Sequence, residues 1–165
     1  NQMDQTGMTP LHLACRPGYD EIFNTLISFG ADIELKTIHQ RTLLHELCRY
    51  GHIEIVKKLL ELNANIDCKD SFGKTALHEA CENGHVKVVK ELLKWGADIH
   101  IADKKGDTAL CMACNKGRLV IAKKLINSGA EILCVNGGDK TLEITLKNGK
   151  LNVEKKSKKK EILEI

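Results

Sequence analysis

At 165 residues the chain has the length of one compact domain, and its 25 Lys and Arg residues against 22 Asp and Glu residues leave a net charge of only +3. So small an excess does not indicate a nucleic-acid-binding protein. No apolar run approaches the roughly 18 residues that a membrane span needs. We therefore expect neither nucleic acid nor a membrane among the partners.

The most informative feature is an internal repeat with a period of 33 residues. Its copies share a threonine and a glycine, namely Thr9, Thr42, Thr75 and Thr108, and Gly18, Gly51, Gly84 and Gly117. A fixed period of this length is typical of repeat proteins, in which each unit buries its faces against its neighbours. We assign four repeats within a single domain 1–165, at residues 4–36, 37–69, 70–102 and 103–135.

The third copy shows the expected structure of one unit most clearly. Thr75 can cap a short helix that runs to Asn83, because its hydroxyl can accept a hydrogen bond from a free backbone N–H. Gly84 can take the positive φ that a tight reversal requires. Residues 85–95 then place apolar side chains at spacings of three and four, which predicts an amphipathic second helix that ends at Gly96.

Three short motifs are specific enough to suggest a family, and they are Thr9-Pro10-Leu11-His12, Thr75-Ala76-Leu77-His78 and Gly96-Ala97-Asp98. Over essentially its whole length the chain resembles the ankyrin repeat family. The resemblance implies an all-α solenoid of stacked helix-turn-helix units with β-hairpin fingers along one edge. It also implies a non-catalytic module that binds a partner protein through its finger tips and the concave face of the first helices. We expect a monomer without cofactors.

Some copies depart from the pattern. Gln40 stands where other repeats have glycine, and since a left-handed conformation strains a non-glycine residue, we expect a different turn there. Asn63 replaces a helix-ending glycine, a substitution that this position tolerates. The second helix of repeat one is apolar on its interior pattern, unlike a polar terminal cap, which suggests that an upstream repeat or capping segment precedes it.

The last 30 residues, 136–165, allow two interpretations. The repeat register predicts a degenerate capping repeat, because Leu142 aligns with the repeat leucine if one residue is deleted. The alternative is a β-hairpin with a tail, since Leu142, Ile144 and Leu146 alternate ahead of an Asn148-Gly149 turn. We favour the capping repeat on its register.

Four of the seven cysteines, Cys15, Cys48, Cys81 and Cys114, also follow the 33-residue period. Neighbouring helices pack about 8 to 10 Å apart, farther than the roughly 7 Å between Cα atoms that a disulfide can bridge. We expect reduced thiols and hence a cytoplasmic or nuclear protein.

The recurring His and Cys residues could in principle bind zinc or act in catalysis. A zinc site needs about four ligands around one ion, whereas these pairs are spread along the stack with one repeat between them. A catalytic site is also singular, and these residues recur at equivalent positions. We therefore predict no metal site, no catalytic residues and no enzymatic activity.

The candidate partner-binding residues are those that vary between matching copies at the finger tips and on the accessible side of the first helices. They are Ile38, His39, Arg41, Glu46, Arg49, Tyr50, Phe72, Lys74, Glu79, Glu82, Asn83, Lys104, Lys105, Asp107 and Met112. Ile38, Arg49, Tyr50 and Phe72 stand out, because aromatic and Arg side chains dominate interface energies. The alternative function is a spacer or regulatory segment of a larger enzyme or effector, whose activity lies outside this chain.

Overall fold

The computed structural model of the protein describes the backbone of residues 1–16, 18–130, 133–135, 140–147 and 150–157, and the side chains of residues 1–16 and 18–130. Within these ranges eight helices precede three strands. The helices are α1 Pro10–Cys15, α2 Asp20–Ser28, α3 Leu43–Tyr50, α4 Ile53–Glu61, α5 Ala76–Asn83, α6 Val86–Lys94, α7 Ala109–Asn115 and α8 Leu119–Asn127. The strands are β1 Leu133–Val135, β2 Lys140–Lys147 and β3 Lys150–Ser157.

The repeat threonines begin the first helices, as predicted. Thr42 has an extended backbone, with φ −85° and ψ 168°, and its side chain lies 2.8 Å from the Nδ1 atom of His45. The same nitrogen accepts a hydrogen bond from the Thr42 backbone N–H at 3.1 Å. The His45 ring thus gives the Thr42 backbone N–H a hydrogen-bond acceptor at the start of the helix, where backbone N–H groups have no partner within the helix.

The reversal between helices requires glycine. Gly51 and Gly84 end α3 and α5 with φ values of +83° and +86°, in the left-handed region. A Cβ atom at Gly51 would also lie only 2.4 Å from the ring of His85. That ring is needed where it is, because its Nε2 lies 2.9 Å from the carbonyl oxygen of Arg49 and links two repeats.

The helix pairs stack in two layers, with α1, α3, α5 and α7 in one and α2, α4, α6 and α8 in the other. The core repeats with them: Leu44, Leu77 and Leu110 occupy equivalent positions and are buried. Fully buried Ala80 and Ala113 are small enough to let neighbouring first helices approach closely. The predicted helical solenoid is confirmed. None of the described helices combines the length and hydropathy that crossing a bilayer requires.

The segment after the fourth repeat contains extended backbone. Strand β1 pairs with β2, and β2 pairs with β3, both antiparallel. Residues 150–157 form strand β3, where a capping repeat would have its second helix. Apolar and polar residues alternate along the sequence of β2, a pattern that is typical of a strand. The expected Asn148-Gly149 turn lies outside the described residues.

Candidate functional site

The fingers of repeats three and four are each fixed by the aspartate at their start. The Oδ1 atom of Asp70 accepts hydrogen bonds from the backbone N–H groups of Phe72 and Lys74, both at 2.9 Å. Asp103 accepts from the N–H groups of Lys105 and Asp107 in the same way, at 2.8 and 3.0 Å. An Asp side chain that holds its own turn in this manner gives the finger tip one defined conformation.

Neighbouring fingers are joined by single backbone hydrogen bonds. The Ser71 N–H donates to the His39 carbonyl at 2.8 Å, and the Lys104 N–H donates to the Phe72 carbonyl at 2.9 Å. The finger tips of repeats two, three and four therefore keep a fixed spacing. Side chains from three repeats can consequently act as one surface.

The finger of repeat two differs from the prediction. Gln40 adopts the left-handed conformation itself, with φ +57°, close to the +79° of its equivalent Gly73. A distinct turn was expected because the conformation costs a non-glycine residue about 1 to 2 kcal/mol. Backbone hydrogen bonds from Ile38 N–H to the Thr6 carbonyl and from Ser71 N–H to the His39 carbonyl connect this finger to both neighbours and favour the common turn. Asn63, with φ +61°, ends its helix as predicted.

The fingers and first helices enclose a groove of about 440 Å³, which we call the main groove. It is lined by Arg41, Arg49, Phe72, Lys74, Glu79, Glu82, Asn83, Asp103, Lys104 and Lys105. A second groove of about 180 Å³ shares two of these residues, Arg41 and Arg49, and is also lined by His39, Glu46 and Tyr50. The two grooves therefore form a continuous track, and most of the predicted partner-binding residues line it.

Arg41 lies beneath this track at the centre of a buried ion-pair cluster. Its Nε donates to Glu46 at 2.7 Å and its Nη1 donates to Glu79 at 3.0 Å. Asp70 lies 3.7 Å from Nη1, too far for a hydrogen bond, so that contact is electrostatic. Burial lowers the pKa of Arg41, but the adjacent Glu79 and Glu46 outweigh it, and the net shift is upward. The guanidinium therefore stays charged.

Five of the predicted partner-binding residues are buried, and they are Arg41, Glu46, Glu79, Asp107 and Met112. They offer little surface to a partner. They were predicted to bind a partner because they vary between repeats. Such variation shows only that the common packing does not constrain a position. Arg41 pairs with both Glu46 and Glu79, and these two ion pairs join repeats two and three. For Asp107, burial and the nearby Asp103 raise the pKa of its carboxyl group.

Three apolar or aromatic candidates are exposed, and two of them line the track. Phe72 is 56% exposed and Tyr50 is 37% exposed, whereas Ile38 is 61% exposed and lines neither groove. His39 is also exposed, and its ring centroid lies 6.4 Å from that of Phe72. Large apolar side chains exposed at the rim of a groove are the kind of residue that anchors a protein interface.

The remaining candidates are polar groups around the main groove. Glu82 lies 2.6 Å from Lys74 and 3.3 Å from Lys116. Burial alone raises its pKa, but these two ammonium groups reverse the effect and hold the pKa below its usual range. Asn83 donates from its side chain to the Glu79 carbonyl at 2.8 Å. The sequence prediction included Arg49, Lys104 and Lys105, which are exposed on the same groove.

Five of the lining residues are not among the predicted partner-binding residues. Asp103 lines the main groove, and the second groove is also lined by Thr6, Met8, Arg16 and Thr37. The repeat period could have identified Arg16, because it is the equivalent of Arg49 one repeat earlier. No comparable signal marks Asp103, whose equivalents Asp4 and Asp70 have the same turn-forming role.

The recurring histidines link each repeat to the next one. Nε2 of His45 lies 3.0 Å from the carbonyl oxygen of Lys74, and Nε2 of His78 lies 3.1 Å from that of Asp107. Since Nδ1 of each ring accepts from a threonine N–H, the neutral tautomer with a protonated Nε2 satisfies both contacts. Burial is the main cause that lowers the pKa of both histidines.

The cysteine ladder consists of free thiols, as its spacing predicts. Burial raises the pKa of Cys48 and Cys81, and raises that of Cys114 to about 11, so none of these thiols is an activated nucleophile. Cys111 is disulfide-bonded and does not belong to this set. Across the described side chains, no three His, Cys, Asp or Glu groups lie where they could hold one metal ion.

Comparison with known proteins accounts for the repeats. The family model "Ankyrin repeats (3 copies)" matches residues 34–103, and the model "Ankyrin repeat" matches residues 6–38 and 105–137. Two curated relatives are each named "Protein phosphatase 1 regulatory subunit 27". The Mus musculus protein is 59% identical and the Homo sapiens protein 56% identical, each over 32 residues. The match covers 19% of this chain and 21% of each relative, so the chain spans about a fifth of their length.

Proposed function

The chain belongs to the ankyrin repeat family, and from that premise we propose that it is a non-catalytic module that binds a partner protein along the track formed by the two grooves. One observation carries the proposal. Tyr50 and Phe72 are exposed in grooves that four successive repeats build together, and the exposed Ile38 precedes His39, which lines the second groove. These side chains supply apolar anchors, and the charged residues around them supply a polar rim.

The rigidity of the surface supports this proposal. The finger tips are fixed by Asp70 and Asp103, and the fingers are joined to each other through backbone hydrogen bonds. Arg41 is tied to both α3 and α5 through Glu46 and Glu79. A surface that is already ordered loses little conformational entropy on association, which favours binding.

The two relatives give limited support to this proposal. A match of 32 residues has the length of about one repeat, so it supports the repeat unit and identifies no partner for this chain. The word "regulatory" in their name is consistent with a binding role. We base no partner on it.

The proposal is tested by comparing partner capture by the wild-type chain and the variant Tyr50→Ala, Phe72→Ala from the same extract. Phe29→Ala is the matched control, because Phe29 is exposed but does not line either groove. We expect the double variant to lose the proteins that both wild type and control retain. Equal recovery by all three chains would remove the track as the binding site.

A second candidate function is a regulatory or spacing segment within a larger assembly. The supporting observation lies on repeat one, where Ile22 and Tyr19 expose apolar surface on α2 and at its start. Another structured element could cover that surface. Partner capture that depends on Ile22 and is insensitive to Phe72 would favour this candidate over the first.

A further inference from the structure

The acidic side chains that line the main groove already have partners. Glu79 accepts a hydrogen bond from Arg41 at 3.0 Å, and Glu82 accepts one from Lys74 at 2.6 Å. Asp103 is occupied by backbone N–H groups of its own finger. These carboxylates are therefore poorly placed to attract a basic ligand.

The basic side chains are in the opposite situation. Five of them line the main groove against three acidic ones. Arg49, Lys104 and Lys105 are exposed there and form no ion pair within the described side chains. Arg16, on the second groove, is exposed and equally without an ion pair in that part of the chain. The track therefore presents an excess of unneutralised positive charge.

An apolar contact point lies among these cations. Phe72 belongs to the finger between α4 and α5, and it lines the same groove as Arg49 and the two lysines of the next finger. The ring of His39 lies beside it, with 6.4 Å between the two centroids. A ligand that reaches the cations therefore also meets an aromatic side chain that can bury an apolar group.

We propose that the partner segment bound in the main groove is an acidic peptide stretch that carries an apolar side chain. This inference rests on the proposed function and specifies its ligand. Carboxylates of the segment pair with Arg49, Lys104 and Lys105, and its apolar side chain packs on Phe72. Complementary charge at a groove raises the association rate and rejects partners of the wrong sign. Phe72 is the one aromatic residue among those that line the main groove, whereas proteins that bind single-stranded DNA stack successive bases on several aromatic side chains, so a peptide fits this groove better.

The test is selection of a random-peptide phage library on three immobilised chains. The first is wild type and the second is the variant Arg49→Gln, Lys104→Gln, Lys105→Gln. The third is a control with the same change in charge on the second helices, Lys87→Gln, Lys90→Gln, Lys123→Gln, whose residues are exposed and line neither groove. Circular dichroism checks that all three chains are folded.

We expect peptides selected on wild type and control to be enriched in Asp and Glu next to an apolar residue, and the groove variant to lose that enrichment. A synthetic peptide from the selected pool should associate with the groove variant about tenfold more slowly or worse. Its binding to wild type should weaken between about 50 and 200 mM NaCl, because salt screens exposed charges. Binding of the peptide to Phe72→Ala should also be weaker.

A selected pool without acidic enrichment, or no selected pool at all, would overturn the proposal. So would equal enrichment on the groove variant, or equally tight binding of an oligo-dT strand. These failures concern the ligand class alone: partner capture that still depends on Tyr50 and Phe72 would leave the proposed function standing. Loss of that dependence would remove the proposed function instead.

Discussion

Repeats one and three follow the same apolar pattern and differ in how much of it is buried. Ile22 on α2 is 47% exposed, whereas Val88 at the equivalent position on α6 is fully buried. Helix α6 lies between α4 and α8, and α2 contacts α4 on one side. The difference shows that the burial of a side chain in this fold depends on the neighbouring repeats. Two repeats with the same apolar pattern therefore contribute different amounts to stability.

The polar interior differs between repeats in the same way. Repeat two has Arg41 where repeat one has Met8, and Glu46 where repeat one has Leu13. Arg41 is only 9% exposed, and it joins repeats two and three through Glu46 and Glu79. Specific charges therefore tie the central repeats together where the first repeat has apolar side chains.

The largest expected effect comes from placing the residue of repeat one into repeat two. Arg41→Met leaves Glu46, Glu79 and Asp70 buried without their cation, and should lower the free energy of unfolding by about 3 to 5 kcal/mol. The matched control is Arg16→Met, because Arg16 is exposed and should change stability by less than about 0.5 kcal/mol. Urea denaturation measures both. Equal midpoints for the two variants would contradict the structural role of the cluster.

The next comparison concerns packing. Leu92→Ala removes a fully buried side chain and should cost about 2 to 5 kcal/mol, since the lost contacts and the remaining cavity both destabilise the fold. Its equivalent in repeat one is Leu26, which is half-buried, so Leu26→Ala should cost less than half as much. Denaturation curves under the same conditions give both values. A larger loss for Leu26→Ala would show that the first repeat is as well packed as the third.

The third expectation concerns pH. Burial lowers the pKa of His45 and His78 below the ordinary 6.5, so the fold favours their neutral form. Their contribution to stability is present above about pH 6.5 and declines as the pH falls through and below that value. Thermal unfolding should therefore show a steeper loss for wild type than for His45→Asn, His78→Asn as the pH falls from about 7.5 to 5. Parallel curves for the two chains would contradict this assignment.

The smallest effect concerns the finger of repeat two. Gln40→Gly relieves a left-handed conformation but makes the unfolded chain more flexible, so we expect a net gain of about 0.5 to 1 kcal/mol. The converse change, Gly73→Gln, should destabilise, because a Cβ there would lie 2.9 Å from the Lys104 backbone nitrogen. Thermal unfolding checks the opposite signs. Destabilisation by Gln40→Gly would mean that the glutamine side chain itself stabilises the finger.

The sequence alone was sufficient for the helix pairs, because the period places a capping threonine and a reversing glycine in each copy. Helix α5 begins directly after Thr75 and ends directly before Gly84, as predicted. After repeat four the sequence allowed two interpretations. There the alternation of Leu142, Ile144 and Leu146 competed with an imperfect register, and the backbone follows the alternation in β2.

The candidate site could be predicted only in part. Variation between repeats drew attention to Tyr50 and Phe72, which are exposed and line the grooves, and to the exposed Ile38. It could not distinguish them from Arg41, whose pairing with Glu79 joins residues that are 38 positions apart. Such a contact depends on how one repeat stacks on the next, which a single repeat's pattern does not contain.

The most direct test of the account is hydrogen–deuterium exchange of the chain alone and with a partner captured on it. We predict that the partner slows exchange at the finger tips and first-helix ends that border the grooves, residues 38–50, 72–83 and 104–107. The second helices α4 and α6, Ile53–Glu61 and Val86–Lys94, should keep their exchange rates. Protection confined to α4 and α6, with none at the grooves, would contradict the account.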